Sequence, residues 1–276
     1  MTVDEWLPFL TRQLTEAGIV EAQPEARILL GHALGKDRAW IVAHGGAEVP
    51  DLLIQPLLER RLRREPLAYI LGYREFFGRR FAVSPAVLIP RQETETLIEA
   101  ALIDLGQRPT GTSVLDLGTG SGCIGITLAL EWPSARVVLS DESRVAIDVA
   151  MANARALEAS VTFVRSDAFA DLNGTFDLIV SNPPYIAEAV PLMPEVGLFE
   201  PEMALYGGET GFEFFERIAR GATPRLGEGG TLMVECGDGQ ADEVTDLFEG
   251  EGWRIVERRK DLLDTERVLS FKRAGH

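Results

Sequence analysis

Cysteine, histidine and basic charge are all scarce in this chain, and each scarcity removes a class of function. The two cysteines, Cys123 and Cys236, lie far apart in strand or helix contexts. They read as two buried thiols in a reducing compartment, not as a disulfide framework. The three histidines, His32, His44 and His276, are scattered with no ligand-like spacing, so no metal is expected. Lysine and arginine total 27 against 43 acidic residues, a formal charge of −16. Binding along a nucleic-acid backbone demands clustered cations, so direct nucleic-acid binding is not expected. No apolar run is long enough to span a bilayer and no secretory signal is visible. A cytoplasmic monomer without a membrane partner is the expectation. What remains is ordinary globular material: 46% hydrophobic and 25% charged over 276 residues, enough for a small and a medium domain.

The pattern changes twice along the chain. Residues 1–73 read as helices, with Trp6, Leu7, Leu10 and Leu14, then Ala26, Leu29, Leu30 and Ala33, at helical spacing. Asp51 stands where an N-cap is expected. Arg60, Arg61, Arg63, Arg64, Arg74, Arg79 and Arg80 form a local excess of cations. They read as a solvated face or as a patch for an acidic partner surface. Residues 74–90 form a linker, two short strands around Gly78 in a hairpin. A helix from about Gln92 to Leu105 follows. Between 91 and 276 strands alternate with helices, which predicts a parallel, doubly wound α/β sheet. Two closing strands with no helix between them predict an antiparallel pair at one edge. The stretch from Ile186 to Glu209 is a long, Pro-rich loop of the kind that usually carries function.

Two stretches carry chemistry. Asp116-Leu117-Gly118-Thr119-Gly120-Ser121-Gly122 follows the first strand of the sheet and opens its first helix, where open α/β sheets bind ligands. Its alternate glycines let backbone approach a ligand with no Cβ in the way. Asp141, after the next strand, is placed to accept hydrogen bonds from ribose hydroxyls. Asp167 and Ala168, after the third strand, offer a carboxylate and an N–H to an adenine. Gly120 to Gly125 also matches the dinucleotide pattern G-x-G-x-x-G, which makes an NAD-dependent oxidoreductase the rival reading. Against it, the Asp116 carboxylate inside the turn repels a pyrophosphate but can pair with the ammonium of S-adenosylmethionine.

The second stretch is Asn182-Pro183-Pro184-Tyr185, at the end of the apolar run Phe176–Val180. Proline fixes its own φ and pushes the preceding residue into extended geometry. The tetrapeptide is therefore a stiff display of carbonyl acceptors, one carboxamide and one flat ring. It suits holding a planar amide or amine by its N–H groups.

Together with Glu65–Gly72, Leu88-Ile89-Pro90-Arg91-Gln92-Glu93-Thr94-Glu95, Phe199-Glu200-Pro201, Gly207-Gly208, Glu235, Gly237 and Gln240, these motifs resemble the release-factor glutamine methyltransferases, the HemK/PrmC family. The resemblance implies a Rossmann-like class I methyltransferase sheet behind a small helical domain that recognises the substrate. It implies S-adenosylmethionine as methyl donor, with S-adenosylhomocysteine as product. The methyl acceptor is then the side-chain amide nitrogen of the glutamine in the Gly-Gly-Gln motif of class 1 release factors. It assigns Asn182, Pro183 and Tyr185 to catalysis and Asn182 to Tyr185 to the substrate. To the cofactor it assigns Asp116, Gly118, Thr119, Gly120, Ser121, Gly122, Asp141, Asp167, Ala168, Phe169 and Asn182. Glutamine methylation of a ribosomal protein is an alternative; so are an amino-directed DNA methyltransferase, which needs a basic groove and a flipped base, and a non-catalytic binding module.

Overall fold

The computed structural model describes residues 1–275 and divides into two compact units. One comprises Met1–Tyr73 together with Leu192–Phe199, the other Arg74–Pro191 with Glu200 to the C-terminus. This differs from the expected three-way division. The hairpin belongs to the larger unit instead of standing apart, and a short piece of the long loop joins the first unit.

The first unit is all helix: Val3–Glu16, Ala22–Leu34, Arg38–Ala43, Asp51–Leu62 and Leu67–Leu71. Trp6, Leu10, Leu14, Ala26, Leu29 and Leu30 of the predicted stripes are buried in its core together with Ile54, while Leu7 and Ala33 are partly buried. Asp51 is the first residue of its helix, and Pro50, in extended geometry, takes the capping position. The carboxylate still sits in the first turn, where the helix dipole favours negative charge. Three of the seven arginines of the local excess are consumed inside this unit. Arg60 pairs with Glu65, Arg61 with Glu25 and Glu195, and Arg64 with Glu195. Arg61 is 5% exposed, so it is part of the interior of this unit and not a patch.

In the second unit, β1 (Tyr73–Phe76) and β2 (Arg79–Ala82) form the small hairpin. The main sheet contains β3 (Ser113–Leu117), β4 (Arg136–Asp141), β5 (Thr162–Arg165), β6 (Phe176–Ser181), β7 (Leu226–Glu235), β8 (Trp253–Lys260) and β9 (Glu266–Arg273). Their order is β5-β4-β3-β6-β7-β9-β8. β3 to β7 are parallel, and β9 runs antiparallel between β7 and β8, as the helix-free closing strands require. One apolar cluster (Leu97, Ile98, Ile126, Leu128, Leu139) and a second (Leu115, Ile179, Phe215, Ile218, Phe248) fill the helix-covered sheet.

Two boundaries moved. The helix expected from Gln92 starts at Glu95, after turns in which Glu95, Thr96 and Leu97 N–H donate to the carbonyls of Gln92, Glu93 and Thr94. β7 begins at Leu226, five residues before the apolar run Thr231–Glu235. Gly227, Gly229 and Gly230 hide it by breaking the apolar pattern, and the pairing with β6 shifts register there.

The sheet order reverses between β3 and β6. That is the topological switch point at which open α/β sheets bind ligands. Leu117 pairs with Ser181 across it, so the turn after β3 and the tetrapeptide after β6 emerge side by side. Positions more than sixty residues apart in sequence are thereby made neighbours.

Candidate active site

A cavity opens at this switch point. Its floor is Leu117, Gly118 and Gly120, one side is Asp141, Glu142 and Ser143, and Asn182 and Pro184 line it as well.

The floor is built from backbone. Gly118 and Gly120 have φ of +74° and +54°, and a Cβ on either would meet nothing within 4 Å. The glycines therefore keep space open instead of filling a gap. Gly122 is different: its φ is +84°, and a Cβ there would stand 2.6 Å from Ile126 Cδ1 and 3.1 Å from Ala150 Cβ. It lets the helix Cys123–Glu131 pack closely. The Gly118 and Thr119 N–H groups both donate to the Ser140 carbonyl, fastening the turn to β4.

Two carboxylates hold the turn. Asp141 Oδ2 accepts from Gly120 N–H at 2.9 Å and Oδ1 from Ser143 N–H at 2.9 Å. Desolvation raises its pKa against these bonds. A carboxylate has about four acceptor positions, so capacity remains for a ligand hydroxyl. Asp116 is 0% exposed and lies behind the turn. It accepts from Thr119 Oγ1 at 2.5 Å and Gly125 N–H at 2.8 Å, while its Oδ1 has no partner among the described residues. Burial pushes this carboxyl up to about 6. It braces the loop from below and does not line the cavity, so the expected direct pairing with a ligand ammonium gives way to an organising role. Thr119 and Ser121, 3% and 2% exposed, are likewise internal, and Ser121 accepts at its carbonyl from Asn153 Nδ2.

The adenine end also departs from expectation. Ala168 lines the cavity with a φ of +46°, a turn stabilised by the Ser166 hydroxyl donating to the Ala168 carbonyl. The Asp167 carboxylate points outward and pairs with Arg217. Phe169 is 8% exposed and packs in the core against Gly221, where a Cβ would lie 2.4 Å from its ring. The aromatic on the cavity wall is Phe214, held by the Arg217 guanidinium 5.1 Å above its ring. It lies in the helix Glu213–Gly221, more than forty residues from the third strand, with no local signal tying it to a ligand.

At the other end, the Asn182 Nδ2 donates to Thr94 Oγ1 at 3.2 Å. Its Oδ1 has no hydrogen-bond partner among the described residues. Pro183 is buried beneath the chain, whereas Pro184 lines the cavity. Tyr185 does not line it. Its ring packs against the second core cluster and its carbonyl accepts from Gln240 Nε2 at 3.0 Å. Burial pushes its hydroxyl up to about 12, so it stays protonated. The long loop returns across the tetrapeptide: Ile186 N–H donates to the Leu205 carbonyl, and Gly207 N–H to that of Ile186. Gly207 has to be glycine, since a Cβ there would lie 2.5 Å from the Pro184 carbonyl. Pro201, Met203 and Ala204 of this loop complete the cavity wall.

Glu200 holds the Ile-Pro-Arg segment in place. It is 5% exposed, accepts Ile89 N–H at 3.0 Å and pairs with Arg91 Nη2 at 2.6 Å. The sequence assigns no role to Glu200, nor to two further motif residues, Thr94 and Glu235, both buried. Glu235 ends β7 beside the tetrapeptide with Oε2 unpartnered. Both thiols are buried and free, and burial pushes each up to about 12. Neither is activated. Among the described residues no cluster could hold a metal ion, and no helix is long and apolar enough to cross a membrane.

Comparison with known proteins agrees with this geometry. Residues 5–72 match the PrmC N-terminal domain, and residues 95–193 the Methyltransferase small domain. The release factor glutamine methyltransferase of Neisseria gonorrhoeae is 42% identical over 100% of this chain and 99% of its own length. That of Geobacter sulfurreducens is 43% identical over 97% of this chain and 95% of its own. The crystal structure of a methyltransferase from Pyrococcus furiosus shares the fold, with a TM-score of 0.55 and 20% identity over 77% of this chain and 97% of that one. Near-complete coverage at this identity, with both domain matches in place, makes the chain a member of the release factor glutamine methyltransferase family.

Proposed function

We propose that the protein transfers the methyl group of S-adenosylmethionine to the side-chain amide nitrogen of the glutamine in the Gly-Gly-Gln motif of a class 1 release factor. The single observation that carries this reading is the Asn182 carboxamide. It stands at the edge of the glycine-floored cavity with its Oδ1 unpaired.

The cavity fits the donor. Open space above Gly118 and Gly120 admits the ligand against backbone, and Asp141 faces it with acceptor capacity for ribose hydroxyls. Phe214, Ala168 and Leu88 supply apolar walls for a flat base. Among the described residues no Lys, Arg or His lines the cavity, which disfavours a pyrophosphate-bearing dinucleotide and suits a ligand without phosphate. When bound, S-adenosylmethionine supplies a methyl already activated by a positive sulfur.

The protein's task is then position. A glutamine amide nitrogen is a poor nucleophile because its lone pair is delocalised into the carbonyl. Asn182 Oδ1 and the Pro183 carbonyl accept its two N–H bonds, which fixes the nitrogen and turns its lone pair toward the methyl. Orienting two reactants this way contributes as much as ~7–11 kcal/mol. The two prolines matter because they keep these acceptors from relaxing. We assign the helical unit of residues 1–73 to gripping the partner protein.

The test is to incubate the protein with methyl-labelled S-adenosylmethionine and either a purified release factor, the same factor with its Gly-Gly-Gln glutamine replaced, a ribosomal protein, or duplex DNA. Label on the first alone is the expected result. Label on DNA or only on the ribosomal protein, or label that survives loss of the glutamine, overturns the reading.

A further inference from the structure

Thr94 and Glu235 are buried polar residues, 2% and 1% exposed, that the transfer step as described does not use. They come from different parts of the fold, Thr94 from the turn before the helix Glu95–Leu105 and Glu235 from the end of β7. Asn182 Nδ2 donates to the Thr94 hydroxyl oxygen at 3.2 Å. The Glu235 carboxylate lies close enough to the Thr94 hydroxyl for that group to favour its charged form. Proton counting fixes the direction of this chain. An ionised carboxylate only accepts, and a hydroxyl has a single proton to give. Thr94 must therefore donate to Glu235 and accept from Asn182, so Asn182 turns its NH₂ inward and its Oδ1 toward the cavity.

We propose that Thr94 and Glu235 are positioning residues that set the orientation of the Asn182 carboxamide, so that it offers an acceptor and not a donor to the substrate nitrogen. This rests on the reading that Asn182 accepts an N–H of the substrate amide. A carboxamide is nearly symmetric in shape, and only its hydrogen bonds distinguish its two ends. Turned the other way it would set its own N–H groups against those of the glutamine.

The chain has a built-in reversal. A protonated Glu235 can donate to Thr94, which then donates to Asn182 Oδ1 and turns the carboxamide round. The charged groups facing Glu235 are Arg91 and Glu93 from the segment before the helix Glu95–Leu105, and Arg267 from β9. The Tyr185 hydroxyl and the Cys236 thiol also sense it, and both stay protonated. Burial outweighs the arginines and the Thr94 hydroxyl and pushes Glu235 up to about 7. Activity should therefore fall as the solution is acidified through that value.

The experiment uses the full chain with S-adenosylmethionine and a release factor. Thr94→Val should lower kcat by ~10- to 100-fold, the scale of a misplaced reacting group, while cofactor Kd stays within about twofold. Thr94→Ser, which keeps the hydroxyl, should restore kcat. Glu235→Gln should flatten the acid limb of the kcat profile near pH 7. In protein labelled with ¹⁵N-asparagine, the Asn182 side-chain resonance, assigned by its loss in Asn182→Ala, should shift with pH in the wild type and stay fixed in Glu235→Gln. Wild-type kcat in Thr94→Val, or an unchanged acid limb in Glu235→Gln, overturns the proposal. Should Thr94→Val fail to fold, the Glu235→Gln profile and the resonance decide alone. Full activity in Asn182→Ala would instead defeat the substrate reading beneath it.

Discussion

The two ends of the cavity are made of different materials. At the glycine turn the ligand meets backbone, and the side chains that matter are mostly behind it: Asp116, Thr119 and Ser121 hold the loop from inside. At the tetrapeptide the ligand meets a side chain, Asn182, whose orientation is decided by other side chains from distant segments. The difference follows from what each end has to do. Binding a cofactor requires room and a fixed surface, which glycines and a tethered turn supply locally. Aligning a weak nucleophile requires a particular atom to face a particular way, which only a connected set of donors and acceptors can specify. Of the rest of the tetrapeptide, Pro183 is buried and lends the proposed second acceptor through its carbonyl, while Tyr185, packed in the core, is support.

Substitutions can separate the two ends. The largest effect on stability is expected at Gly122, where alanine meets Ile126 and Ala150 and must hold a positive φ. Overpacking costs ~1–3 kcal/mol and the strained backbone another ~1–3 kcal/mol, so chemical denaturation of Gly122→Ala should show a loss of several kcal/mol. Gly120→Ala meets no contact, so its stability loss should be confined to backbone strain while cofactor affinity drops. Equal stability losses in the two variants would erase the distinction between a glycine that packs and one that keeps space. Next in size is Asp141→Ala. It removes both a ligand acceptor and the clasp on Gly120 and Ser143, and calorimetry should find cofactor Kd weakened about 10- to 100-fold with kcat at saturation little altered.

The smallest effect is the dependence of stability on pH at Glu235. Its folded pKa, about 7, lies above its ordinary value of 4.5, chiefly because burial disfavours the charge. For a group raised in this way, the stabilising contribution is present below pH 4.5 and is lost as pH rises through 7. Glu235→Gln carries no such penalty, so its Tm relative to wild type should climb across that window. A constant offset would mean the carboxylate is not paying for its burial as the structure implies. Function thus uses Glu235 in the protonation state that the fold tolerates least.

The same contrast governs what could be read from the sequence. The glycine turn, Asp141 and the tetrapeptide are contiguous patterns, and the sheet that carries them follows from alternating apolar runs, so the fold and the site's location were legible. The helix Cys123–Glu131 and the antiparallel closing pair lie where periodicity put them. What failed depends on the direction a side chain takes after folding. Phe169 follows a strand of the sheet and Phe214 does not, yet the first packs against Gly221 and the second lines the cavity. Asp167 follows a strand like Asp141, yet Arg217 draws it outward. Asp116 looks available inside the turn and is sealed beneath it. Glu235 and Thr94 stand in motifs that carry the family resemblance, but the sequence gives them no role, since the contact from Thr94 to Asn182 spans 88 residues.

The most direct test of the account is to measure cofactor Kd by calorimetry and the single-turnover rate on a release factor for Asn182→Ala. The account predicts a rate at least ~100-fold below wild type, with cofactor Kd within about twofold, because the cofactor's floor is backbone that this side chain does not support. A rate near wild type, or a rate loss that tracks an equal loss of cofactor binding, would contradict it.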